Sequence, residues 1–453
     1  VSSQRIVVVG ADATGMSAAS RAKRRAPEIQ VEAYDLGRYV SYGACGIPYA
    51  VSGEVGRVED LVVISPDRFR EERGIEVFTR HLVERIVPAE KKILVRDLAA
   101  GRVKERAYDK LVFSTGAEPI TPKGIDPGLE EVFFIRNLED AQRLKSFLAE
   151  RKPGRAVIVG AGYIGLEMAE SLAKAGLRVQ VTVRGERVLS SAEEEISSAL
   201  AGELKRQGVE LVTGAVPKAT ERPARGGVRL ELMDGRELTA DLLLVGAGVR
   251  PRSELAEEAG LKLGVKGAVA VDRLQRTSDP DIFSGGDCAE AYHRLLGRNT
   301  YVPLALGANR QGRVIGDNLV GGKSEFPGIL ATTVTKVFDL TAARTGLSLR
   351  EAREEGLEAV KVVTKAPSRA SYYPGSSPIT TCLIAEKGTG RPLGAQMVGL
   401  DGVAKRIDIW GTALSAGLSL EEIGDLDLAY APPYSPVWDP VLVTAGVALK
   451  KIS

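Results

Sequence analysis

The sequence predicts an α/β protein with two dinucleotide-binding βαβ units and a further α+β domain at its C-terminal end. Three observations carry this prediction: a glycine-rich turn after an apolar strand near the N-terminus, a second such turn deeper in the chain, and a stretch beginning near Gly322 where strand-like runs such as residues 332–337 alternate with helical ones. At 453 residues the chain is long enough for about three domains.

The first unit opens with the apolar run at residues 6–9. Gly10-Ala11-Asp12-Ala13-Thr14-Gly15 then starts a helix of small residues, and a second strand ends in Tyr34-Asp35. Gly10 and Gly15 let the backbone approach a pyrophosphate at the helix N-terminus, where unpaired N–H groups and the helix dipole favour anions; Asp35 is placed for a ribose hydroxyl. Asp12 departs from the pattern, because a carboxylate in place of the middle glycine repels phosphate unless it points away. Next comes Ser41-Tyr42-Gly43-Ala44-Cys45-Gly46-Ile47-Pro48-Tyr49. Its glycines and proline predict a thiol where a new helix starts, an arrangement that favours thiolate.

A short strand at residues 111–113 ends in Ser114-Thr115-Gly116-Ala117, and Pro119 and Pro122 mark a crossing into the second unit. There residues 156–159 feed Gly160-Ala161-Gly162-Tyr163-Ile164-Gly165, with Glu167 in the helix and a second strand at residues 179–183. This unit closes near residues 241–246. Beyond it, Gly285-Gly286-Asp287 sets an acid after a strand, suited to a ribityl or ribose hydroxyl, and a helix containing Asn309-Arg310-Gln311-Gly312 follows. The expected boundaries are 1–117 and 246–322 for the first nucleotide domain, 118–245 for the second, and 323–453 for the C-terminal domain.

Charge and composition narrow the function. A formal net charge of +2 leaves no electrostatic footprint for nucleic acid, and no apolar run approaches a membrane span. The first apolar stretch runs straight into the nucleotide turn, so no secretory leader is expected and the cytoplasm is the default location. The three cysteines, Cys45, Cys288 and Cys382, form neither a disulfide framework nor a metal-ligand spacing, which fits a reducing compartment and predicts no metal site. Cys288 and Cys382 read as buried structural residues, and the histidines His81 and His293 as surface or structural ones.

Taken together, the run at residues 41–49, Gly160 to Glu167, Gly285-Gly286-Asp287 and the C-terminal Tyr430-Ala431-Pro432-Pro433-Tyr434-Ser435-Pro436 resemble the pyridine nucleotide-disulfide oxidoreductase family over nearly the whole chain. The resemblance is to its single-cysteine branch of coenzyme A-disulfide reductases, NADH:polysulfide reductases, NADH oxidases and NADH peroxidases. It implies two Rossmann-like domains, FAD in the first and NADH or NADPH in the second, and a homodimer in which the C-terminal domain of one subunit completes the active site of the other. By the same resemblance Gly10, Ala13, Gly15, Asp35, Ser41, Thr115, Gly116 and Asp287 surround FAD. Gly160, Gly162, Tyr163, Ile164, Gly165, Glu167 and Arg184 serve the nicotinamide cofactor, with Tyr163 matching an aromatic that covers the flavin until nicotinamide displaces it.

Cys45 is the expected redox relay, taking electrons from flavin and passing them to an external small-molecule disulfide. With no second cysteine beside it and no C-terminal histidine, its oxidised form is a sulfenic acid or a mixed disulfide. Oxidase and peroxidase relatives hold a sulfenic acid with a histidine at the place of Ala13, so the mixed disulfide with coenzyme A is favoured here. Tyr372, Tyr373, Tyr430 and Tyr434 match tyrosines that the coenzyme A-disulfide branch sets over the partner's cysteine, with Tyr430 the leading proton donor. Ser41 and Tyr42 match residues beside the coenzyme A arm, and Arg21, Lys23, Arg24 and Arg25 offer cations for its phosphates, although a helix C-terminus favours such residues independently. Ala44, where the coenzyme A reductases have asparagine, is shared with polysulfide-reducing relatives and keeps polysulfide or persulfide open as the acceptor. Arg184 at the end of the second strand points to NADPH, while Glu186 can still reach the ribose of NADH.

Overall fold

In the computed structural model, residues 3–452 are described, and the chain divides into two compact units. The first runs up to Ile120 and adds Ile135–Glu150 and Gly248–Ile329; the second comprises Thr121–Phe134, Arg151–Ala247 and the chain from Leu330 onward.

The first unit is built on a five-stranded parallel sheet in the order Ile282–Ser284, Lys110–Phe113, Arg5–Val9, Gln30–Tyr34, Glu76–Phe78. Ile6, Val7 and Val8 are fully buried, as a parallel strand covered on both faces requires, and this is why the run reads as uninterrupted β-branched residues. The helix Ala13–Arg25 follows the central strand, its small residues facing the core and Lys23, Arg24 and Arg25 complementing the dipole in its last turn. Because neighbouring strands leave Arg5–Val9 in opposite directions along the sheet, its carboxyl end is a topological switch point, the place where such sheets bind ligands.

The second unit repeats the device and adds another. Its parallel sheet has the order Glu210–Val212, Arg178–Thr182, Arg155–Val159, Leu242–Val245, Val132–Phe134, with the helix Tyr163–Lys174 after the central strand. The C-terminal part is a five-stranded antiparallel sheet ordered Thr333–Val337, Leu340–Gly346, Pro392–Gly399, Pro378–Glu386, Ala359–Pro367. Helices Val403–Ala416 and Pro440–Ile452 pack on it around the fully buried Trp410. The expected α/β class with a C-terminal α+β domain is therefore the observed one. Among the described residues no helix is long and apolar enough to cross a membrane, and no cluster of candidate metal ligands occurs.

Candidate functional site

Both glycine turns adopt the geometry their sequences require. Gly10 and Gly160 have φ of +98° and +107°, and a Cβ on Gly15 or Gly165 would lie 2.0 Å from the carbonyl oxygen of Gly10 or Gly160. Only glycine permits that turn. At Gly162, the N-cap of the helix Tyr163–Lys174, an added Cβ would meet nothing within 4 Å, and no side chain caps the helix. The helix N-terminus is thus free of a side-chain cap and has room beside Gly162, as an anionic dinucleotide needs.

Around the first turn the acids are organised by backbone. Asp35 accepts the Ala11 N–H at 2.7 Å and the Gly37 N–H at 2.8 Å, and burial raises its pKa. Each oxygen keeps a lone pair for a hydroxyl. Asp12 turns toward the loop at residues 41–42, where its Oδ1 accepts the Tyr42 N–H at 3.2 Å. This answers the sequence's one irregularity: the carboxylate is anchored to a neighbouring loop rather than capping its own helix. Burial raises it to about 6, the Asp35 and Asp287 carboxylates add to the rise, and the Tyr42 N–H and the Arg136 guanidinium oppose it. The Tyr42 phenol is likewise pushed up, first by burial and then by Asp12, so it stays protonated.

Ser41 sits in the left-handed region at φ +48°, an uncommon conformation for a non-glycine residue, and its backbone is fixed by Ala11 O and the Val63 N–H. The loop then delivers Cys45 into the short turn Ala44–Gly46 immediately before the helix Ile47–Ser52, where Pro48 occupies the first turn. Cys45 is exposed, whereas Cys288 and Cys382 are buried. Burial pushes both of those thiols up, and Cys288 is further enclosed by the carbonyls of Phe113 and Gly285. Only Cys45 is placed for chemistry with a dissolved molecule.

Arg136 is a site residue that sequence reasoning missed. Its Nε donates to Ala117 O at 2.7 Å, its Nη2 lies 3.5 Å from Asp287, and a Cβ on Gly116 would come within 2.8 Å of Nη2. The result is a cation set among Asp12, Tyr42 and Asp287, all of whose acidities it affects. Asp287 is raised by burial. Thr115 donates to Arg252 O at 2.5 Å. Ala13 begins the helix behind these groups.

The expected phosphate cluster is largely occupied internally. Arg21 and Arg25 both pair with Asp317, at 2.8 and 3.2 Å, and Lys23 donates to the carbonyls of Pro27 and Ile29. Asp317 comes from the distant helix Ala305–Leu319, a partner that reading local charge cannot reveal. Arg24 remains exposed.

In the second unit the Tyr163 hydroxyl lies 2.8 Å from Thr333 Oγ1, and Glu167 Oε1 accepts from Thr335 Oγ1 at 3.0 Å. Burial raises the Glu167 carboxyl. Ile164 is partly open to solvent, and Arg184, Gly185, Glu186 and Arg187 are all exposed beyond the strand Arg178–Thr182. Of the four tyrosines, Tyr372 and Tyr430 meet hydroxyl to hydroxyl at 3.4 Å, and that contact raises the Tyr372 phenol. Tyr434 is 73% exposed and Tyr373 37%. Their two loops are tied by the Ala370 N–H on Pro432 O and by the buried pair Arg406–Asp439, whose guanidinium also donates to Ser368 O.

Comparison with known proteins agrees with this geometry. The family model described as pyridine nucleotide-disulphide oxidoreductase matches residues 4–312, and that of the family's dimerisation domain matches residues 332–440. The NAD(P)H coenzyme A polysulfide/persulfide reductase of Pyrococcus horikoshii is 37% identical over 98% of this chain and 98% of its own. The coenzyme A disulfide reductase of Staphylococcus haemolyticus is 31% identical over 95% and 96%. The solved structure of an NAD-dependent persulfide reductase from A. fulgidus superposes with a TM-score of 0.95 at 39% identity, covering 99% of this chain and 83% of that one. Two glycine turns suited to anionic dinucleotides, one exposed cysteine and these matches lead to one conclusion: the chain belongs to the pyridine nucleotide-disulphide oxidoreductase family, whose members depend on FAD and NAD(P)H.

Proposed function

We propose that this protein is an NAD(P)H-dependent flavoprotein reductase that cleaves the S–S bond of coenzyme A disulfide through Cys45. The observation that carries the reading is Cys45 itself, an exposed thiol on the loop anchored by Asp12 and Ser41, in a chain whose other cysteines are buried. FAD, when bound, accepts two electrons from reduced nicotinamide and makes them available to sulfur. In this reading segments 1–117 and 246–322 hold FAD, 118–245 holds NAD(P)H and 323–453 joins two copies.

Gly10, Ala13 and Gly15 present backbone donors to the FAD pyrophosphate, Asp35 accepts from its ribose, Asp287 from the ribityl chain, and Arg136 supplies the local positive charge. Thr115 and Gly116 border the same space. Gly160, Gly162, Ile164 and Gly165 receive the nicotinamide dinucleotide, and exposed Arg184 favours the extra phosphate of NADPH. The Cys45 thiolate attacks one sulfur of the substrate, forming a mixed disulfide as the substrate S–S bond breaks. The departing thiolate takes a proton from Tyr430 of a second copy, where Tyr372 supports the phenol. Two electrons then split the mixed disulfide, returning Cys45 as thiolate and releasing the second coenzyme A thiol. One NAD(P)H, one proton and one disulfide yield NAD(P)⁺ and two thiols. Ser41, Tyr42, Arg24 and Tyr434 line the approach, with Arg21 assisting only if it leaves Asp317.

A second reading, reduction of coenzyme A persulfide or polysulfide at the same thiol, is favoured by Ala44 and by the names of the relatives in Pyrococcus horikoshii and A. fulgidus. Two measurements test these readings: intact mass of the purified protein before and after thiol reduction, and turnover with coenzyme A disulfide, persulfide, polysulfide and oxygen. A coenzyme A adduct on Cys45 and fastest turnover with the disulfide support the first reading. Fastest turnover with persulfide transfers the assignment to the second, and a Cys45→Ser enzyme that reduces either acceptor at the wild-type rate refutes both.

A further inference from the structure

The helix that follows the second glycine turn is held along its length by a strand of the C-terminal sheet. Thr333–Val337 is an edge strand, and its polar groups meet Tyr163–Lys174 in sequence: Thr333 with Tyr163, Thr335 with Glu167, then Lys336 and the Phe338 N–H with Glu170. The match follows from two periodicities. Residues two apart on a strand share a face and are separated by about 6.7 Å, and residues four apart on a helix share a face about 6 Å apart. Thr333 and Thr335 therefore align with Tyr163 and Glu167.

The rungs differ in what they hold. Glu170 lies deeper along the helix and has Lys174 and the Phe338 N–H as partners besides Lys336. It serves docking. Tyr163 and Glu167 occupy the first turns of the helix, directly after Gly162, whose surroundings are open. Tyr163 also walls a small partly open pocket with Leu189, Ile196, Arg344 and Gln396, so without its bond to Thr333 the ring has space to move.

We propose that Thr333 and Thr335 are positioning residues for the nicotinamide cofactor, their hydroxyls fixing the Tyr163 phenol and the Glu167 carboxylate beside the helix N-terminus that receives it. This rests on the assignment of the second glycine turn to NAD(P)H made above. It gives the C-terminal domain a role in cofactor binding in addition to dimerisation. The Thr335 donor also offsets the burial that raises the Glu167 carboxyl, keeping that acid available as an acceptor.

The test uses the FAD-loaded enzyme and reads two quantities: the dissociation constant of the preferred oxidised nucleotide, NAD⁺ or NADP⁺, by calorimetry, and flavin reduction by the reduced form in a rapid-mixing experiment. Thr333→Val and Thr335→Val each weaken binding about three- to ten-fold, the range expected for one hydrogen bond. Thr333→Ser restores the wild-type constant, and adding Thr333→Val to Tyr163→Phe produces no further loss. Lys336→Met, which breaks the docking rung only, leaves the constant unchanged. Wild-type affinity in both valine variants, or an equal loss in Lys336→Met, overturns the proposal. Nucleotide binding is read without disulfide turnover. An enzyme that binds the nucleotide with the expected variant pattern and reduces no disulfide therefore sinks the Cys45 reading while this one stands.

Discussion

Asp12→Asn should stabilise the protein at neutral pH, by an amount the structure sets. The carboxyl goes from an ordinary value of 3.8 in the unfolded chain to about 6 in the folded one, chiefly because it is buried. A group that binds its proton more tightly when folded contributes stability that is complete below pH 3.8 and is lost as pH rises through about 6. At 1.36 kcal/mol per pH unit, the gap amounts to about 3 kcal/mol of destabilisation of the wild type by pH 8. Asparagine keeps an oxygen for the Tyr42 N–H and carries no charge, so the variant escapes that loss. The assay is unfolding of both proteins from pH 4 to pH 8. Their midpoints should nearly coincide at the acid end, separate in favour of the variant between about pH 4 and pH 6, and stay apart above it by several degrees, at the 2–4 °C per kcal/mol typical of units of 150–250 residues. FAD should widen the separation, since a pyrophosphate beside the turn further disfavours ionised Asp12. A constant offset between the two proteins across that range would refute the burial argument.

The same reasoning supports three further expectations. Tyr430→Phe should lower kcat for disulfide reduction about a hundredfold, the lower end for loss of a general acid, with flavin reduction by NAD(P)H unchanged in rapid mixing. Arg184→Glu should shift the ratio of kcat/KM for NADPH over NADH toward NADH by about tenfold or more, because a charge-assisted contact with the extra phosphate becomes a repulsion. Asp439→Asn, which leaves the fully buried Arg406 guanidinium without its counter-charge, should cost about 3–5 kcal/mol in denaturant unfolding.

What the sequence disclosed was local. A glycine whose carbonyl lies 2.0 Å from where another residue's Cβ would stand imposes its identity at fixed spacing, so both nucleotide turns were legible, and the run around Cys45 forms its turn and helix within a few residues. Arg136 left no such trace. Its partners come from separate places in the chain, Ala117 from a strand paired antiparallel with Val249–Pro251 and Asp287 from just beyond the parallel strand Ile282–Ser284, and an isolated arginine between an apolar strand and a helix has no periodicity to mark it. The basic run at residues 21–25 shows the converse: its charge is visible in sequence, but the carboxylate on a distant helix that engages Arg21 and Arg25 is not. Strand alternation assigns Thr333 and Thr335 to one face, whereas the helix they meet becomes known only from the fold.

The tyrosine loops connect stability to chemistry. Tyr372, Tyr434, Val437 and Trp438 are each more than 60% exposed, a concentration of large apolar side chains that a monomer rarely presents to water and that lies in or beside the stretch matching the dimerisation domain. Beneath them the chain buries an arginine and an aspartate completely, and these hold Ser368 and Ser435, one on each loop, through the guanidinium and the carboxylate respectively. A buried ion pair is a poor source of net stability, since desolvation offsets its attraction, but its directional bonds fix geometry. Here the geometry fixed is the approach of Tyr372 to Tyr430, and two loops that each lack regular structure would otherwise sample many arrangements of those rings. The rigidity of this exposed tyrosine pair is thus supplied by an ion pair buried between the helix Val403–Ala416 and the residue preceding the helix Pro440–Ile452, in the stretch that matches the dimerisation domain.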